Sequence, residues 1–119
     1  MPYVLLIMEP RGQRAERGEA AGRAVYERMV RFAEDLQARG LLVSTSSLRP
    51  DHEGVRVEVR EGRASLLDGP FAESKEMVRG FFHLTCATRE EAVAIARACP
   101  AAEWATIEVR ETGPCFEGA

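Results

Sequence analysis

The chain has 119 residues, of which 45% are apolar and 29% charged, and its net charge is −3. That length and composition fit one globular domain with its own hydrophobic core. No apolar run approaches the ~20 residues that a membrane-spanning helix needs, and no one-signed basic stripe marks a nucleic-acid surface, because Glu9, Glu16 and Glu19 interleave with Arg11, Arg14 and Arg17.

The opening MPYVLLIMEP has neither a basic n-region nor a small-residue cleavage site, so residues 3–8 are predicted as a strand and not a signal peptide. The run is continuous, short and apolar, as in a central strand covered on both faces. Residues 10–18, with Gly12 and Gly18 among charges, read as a loop. From 19 to 39, Ala21, Val25, Met29, Phe32 and Leu36 recur at the spacing of one helical stripe, and Gly40 stands where a helix C′ glycine is expected. Residues 41–48 form the second predicted strand.

In the stretch GVRVEVR, Val55, Val57 and Val59 alternate with Arg56, Glu58 and Arg60, and Glu61-Gly62 is placed to turn a hairpin. A turn at Asp68-Gly69-Pro70-Phe71 follows, then a strand over residues 77–87. Thr88 and Glu91 have the spacing of a capping box. The helix they open turns Ala92, Ile95, Ala96 and Cys99 inward and stops before Pro100. Residues 104–110 are the last predicted strand, with Trp104 and Ala105 on opposite faces.

The order β-α-β, hairpin, β-α-β predicts a ferredoxin-like α+β fold, an antiparallel sheet with two helices on one face. Phe81 and Phe82 put apolar surface on both sides of that sheet, and a homodimer joined through the open face would cover the second side. One domain spans 1–112, and the polar, Gly-rich residues 113–119 form a flexible tail. Cysteines 86, 99 and 115 are odd in number and lack CxxC spacing, which favours a reducing cytoplasm over a disulfide framework or a zinc site.

The chemistry-bearing residues gather around one stretch, DGPFAESKEMVRGFF. Asp68 is placed to cap a turn or to contact a ligand. Lys75 is the one lysine beside fifteen arginines; a compact ammonium differs from a guanidinium as a point charge, and Glu73 and Glu76 flank it. Asp68, Glu73, Lys75 and Glu76 are the candidate ligand-binding residues. His83, on the following strand, and Asp68 are the candidate acid and base. His52 lies in a polar loop, and two scattered histidines make no metal site. No cofactor motif of the GxGxxG, P-loop, GxSxG or HExxH type occurs.

Asp68, Gly69, Pro70, Phe71, Glu73, Lys75, Glu76, Gly80, Phe81 and Phe82, with the opening YVLLIM and closing WATIEVR, resemble the DGPF-domain branch of the YCII-related superfamily. The resemblance implies a ferredoxin-like subunit that dimerises as an α/β barrel, a bacterial cytosolic setting, and an association with extracytoplasmic-function sigma factors. Enzymatic YCII relatives use a His on the first helix and an Asp after the second. Here residues 19–39 hold no histidine, and Cys99-Pro100 stands where the relatives have Asp-Pro. Three functions follow: a small-molecule-binding or accessory module holding an organic, anionic ligand near Lys75; a proton-transfer or elimination enzyme using His83 and Asp68; or a sigma-factor-associated regulator.

Overall fold

The computed structural model describes residues 2–71 and 73–118. Strands β1 (Tyr3–Pro10), β2 (Leu42–Ser47), β5 (Glu76–Leu84) and β6 (Thr106–Glu111) form one antiparallel sheet in the order β2-β5-β1-β6, while β3 (Val55–Arg60) and β4 (Arg63–Asp68) form a separate two-stranded hairpin. Helix α2 (Glu19–Ala38) connects β1 to β2, and α3 (Arg89–Ala98) connects β5 to β6. This is the split β-α-β arrangement of a ferredoxin-like plan. A third helix, α1 (Gln13–Arg17), occupies the segment expected to be loop. It is only five residues long and bracketed by Gly12 (φ 79°) and Gly18 (φ 81°), so no amphipathic period could announce it.

Alternation along β1 sets the core. Tyr3, Leu5, Ile7 and Glu9 are buried toward the helices, while Val4, Leu6 and Met8 lie half-buried on the other face. Leu5, Leu36 and Leu84 are fully enclosed, and each such side chain contributes about 1.5–3 kcal/mol relative to exposure. Phe32 of α2 meets Phe82 of β5 edge to face, with ring centroids 5.4 Å apart. β1 is therefore central in the sheet but covered on one face only, and the expectation of two covered faces does not hold for a single chain.

Helix termini follow local chemistry. Gly40 (φ 71°) closes α2, with Gly40 N–H on the Gln37 carbonyl and Leu41 N–H on the Leu36 carbonyl, the paired bonds of a Schellman ending. Thr88 Oγ1 accepts the Glu91 N–H at 3.2 Å to start α3. Pro100 begins a 3-10 turn, Pro100–Glu103, that leaves Trp104 ahead of β6 and not within it. Cys86 and Cys99 are buried free thiols, and burial pushes both of their pKa values up.

Two features of β5 place everything else. The first is a β-bulge: Ile7 pairs with Gly80 and Met8 with Val78, so Arg79 is the extra residue. A bulge turns two consecutive residues to one side of the sheet. Arg79 joins Gly80 on the helix side, where simple alternation would have sent it to the open face. The second is the loop that delivers β5. Arg11, just past β1, chelates Asp51 through both terminal nitrogens (2.7 and 2.5 Å) and also donates to the Phe71 (2.6 Å) and Ser74 (2.5 Å) carbonyls. Asp51 in turn accepts the Phe71 N–H. Arg56 of β3 lies over the Phe71 ring at 3.8 Å and pairs with Glu73. The Gly69–Pro70 bond is cis, and Gly69 packs directly on the Asp51 backbone.

A Cβ at position 69 would lie 1.8 Å from the Asp51 carbonyl oxygen. Gly69→Ala is therefore expected to lower stability by about 3 kcal/mol or more, whereas Gly113→Ala, with no atom within 4 Å, changes it little; urea unfolding of the two variants checks this. The Arg11 guanidinium holds the Asp51 carboxyl at about 2, against an ordinary 3.8. A carboxyl with a depressed folded-state pKa stabilises fully above its unfolded value and loses that contribution as pH falls through the folded one. The stability gap between the wild type and Asp51→Asn should be widest above pH 3.8 and close as pH drops through about 2. A gap that does not change over that window would contradict the assignment.

Candidate functional site

A cleft of about 560 Å³ opens between α2 and the helix side of β1, β5 and β2. Its wall is apolar: Val25, Met29 and Ala33 descend from α2, Ile7 and Phe82 rise from the sheet, and Trp104 closes one end. The charged groups are contributed by α1, the end of β1 and the β5 bulge.

Glu9 is the fourth residue of the buried β1 face and is only 3% exposed. Burying a carboxylate there demands a cation. Arg14 supplies it from α1, with Nε 2.9 Å and a terminal nitrogen 3.3 Å from the two carboxylate oxygens. The same guanidinium donates to Ser47 Oγ and to the Arg79 carbonyl, both at 3.1 Å, so one side chain joins β1, β2 and β5. Gln13 Nε2 donates to the Trp104 carbonyl at 2.6 Å and pins α1 against the opposite wall. Arg17 and Arg28 lie 5.4 and 5.6 Å from the Trp104 ring centroid, within cation–π range.

Arg79 is 7% exposed and lines the cleft. Its Nε donates to the Leu48 carbonyl at 3.1 Å, and among the described residues the guanidinium makes no ion pair. Burial, reinforced by the neighbouring Arg14 charge, pushes its pKa below the ordinary arginine value, while Glu9 pulls the other way. The cleft thus presents three guanidinium groups (Arg14, Arg17 and Arg79) against one carboxylate, within an apolar enclosure.

The residues proposed from the sequence lie elsewhere. Asp68 ends β4 in the exposed hairpin, opposite Val55, and its carboxylate has no hydrogen-bond or ion-pair partner among the described residues. Glu73 is taken by Arg56. Lys75 and Glu76 are exposed at the entry to β5, where Ser74 Oγ donates to the Glu76 carbonyl. His83 is half-buried on the open sheet face between Val4 and Ser44. His52 is exposed. Neither Asp68, Lys75 nor His83 lines the cleft. The DGPF turn bears on the cleft indirectly, by fixing how β5 enters the sheet and so where its bulge falls. Among the described residues no group of three His, Cys, Asp or Glu side chains could hold a metal ion, and no helix is long and apolar enough to cross a membrane.

Two signals in the sequence do point to the cleft. Glu9 continues the odd-numbered series Tyr3, Leu5, Ile7, so alternation alone puts a carboxylate on the buried face. Arg14 and Arg17, three apart, share one side of a helical turn. Arg79 carried no such signal, because the bulge breaks the alternation that would locate it.

Comparison with known proteins agrees with the architecture. An uncharacterised protein of Rhizobium meliloti (strain 1021) is 33% identical over 75 residues, a match that spans 60% of this chain and 60% of that relative. The profile of the YCII-related domain matches residues 1–114. With nearly its whole length so matched, the chain belongs to the YCII-related domain family.

Proposed function

We propose that this protein is a homodimeric small-molecule-binding module whose ligand occupies the cleft between α2 and the sheet. The cleft itself carries the reading. Its volume falls within the ~300–1,000 Å³ typical of ligand sites, and an apolar wall with a few convergent polar groups is the usual composition of such sites.

Dimerisation is supported by apolar surface that one chain leaves uncovered. Val4, Leu6, Met8 and Phe81 share the open sheet face, all short of full burial. Val55, Val57, Val59 and Leu66 line one face of the β3–β4 hairpin and are between 53% and 69% exposed. A two-stranded hairpin is marginal by itself, and a second copy of the chain laid against these surfaces would bury both. A proton-transfer enzyme built on His83 and Asp68 draws no support from their positions, since one lies on the open sheet face and the other on the hairpin.

In sedimentation velocity the protein is expected to run as a two-chain species, and Leu6→Asp to run as a folded single chain. A wild type that stays a single chain at high concentration would remove the dimer. Native mass spectrometry of freshly purified protein should show a retained small molecule, and Gly22→Phe, which fills the cleft from a position with no atom within 4 Å, should expel it. An empty protein whose Trp104 fluorescence also ignores both neutral and anionic aromatic probes would remove the binding module.

A further inference from the structure

We propose that the ligand is an organic carboxylate with an apolar body, its carboxylate gripped by Arg79; this rests on the cleft being a binding site. An arginine cannot neutralise itself by losing its proton, so a guanidinium on a residue only 7% exposed favours an anion wherever its nitrogens stay open, and none of its side-chain nitrogens is sealed away without a partner. Arg14 has its carboxylate in Glu9. Arg79 has none among the described residues, and its one side-chain hydrogen bond uses Nε. That leaves the two terminal nitrogens, the fork that binds a carboxylate through two parallel hydrogen bonds.

The surroundings select within the class of anions. Arg14 engages Glu9, which leaves Arg79 as the cation without an ion pair at that end of the cleft. The wall also offers Met29, Phe82 and Trp104, the last with Arg17 and Arg28 against its ring. These contacts reward an aromatic or branched aliphatic body and give a small inorganic anion nothing.

Three probes test this with the whole 119-residue chain: naphthylacetate, naphthylethanol of matched shape, and acetate without the apolar body, each titrated against Trp104 fluorescence and by calorimetry. Naphthylacetate should bind at least about tenfold more tightly than the alcohol or acetate, a gap of about 1.4 kcal/mol. Arg79→Met should erase the preference over the alcohol. Equal binding of acid and alcohol by the wild type would overturn the ligand class and leave the binding cleft standing. Binding of none of the three would overturn both. The wild-type comparison decides the matter even if Arg79→Met fails to fold.

Discussion

A one-residue insertion in a strand governs this molecule. Because β5 carries an extra residue opposite the Ile7–Met8 step, Arg79 and Gly80 both turn toward the helices. Gly80 then lies where a Cβ would be 3.0 Å from the Ser46 carbonyl, so the bare Cα lets β2 close against β5. Arg79 brings a guanidinium beneath α2, and its carbonyl takes hydrogen bonds from the Leu48 backbone and from Arg14. The buried Glu9–Arg14 pair is thereby tied to the same point. Remove the bulge, and the charge at the end of the cleft moves to the opposite face of the sheet.

The DGPF turn serves this arrangement from a distance. Arg11 gathers Asp51 and the Phe71 and Ser74 carbonyls into one clasp, and Gly69 makes room for the Asp51 backbone. The clasp holds the base of the hairpin and the entry of β5 to the end of β1. Two arginines three residues apart thus do different work: Arg11 fixes a loop and Arg14 lines a cleft. The Asp-Gly-Pro-Phe turn is, by these contacts, a structural fastening, and the proposed ligand cleft lies beside it.

Much of the fold was legible because its signals are local. The β1 run, the α2 stripe, the Thr88–Glu91 cap and the Glu61-Gly62 turn (φ 52° and 77°) each follow from a few neighbouring residues. The site was less legible because it depends on register. Trp104 reads as the first residue of a strand, but the 3-10 turn after Pro100 shifts it to the cleft end. Arg79 reads as an open-face residue until the pairing of β5 with β1 is known. Lys75, the one lysine of the chain, is exposed at the entry to β5 and does not line the cleft. Glu9 was the one site residue that alternation could have found.

The most direct test of the central claim is a crystal structure of the protein grown with naphthylacetate. The account predicts the carboxylate within hydrogen-bonding distance of both terminal nitrogens of Arg79, with the ring system against Met29 and Phe82. A carboxylate seated instead at Lys75 or on the open sheet face, with Arg79 turned to a protein carboxylate, would contradict it.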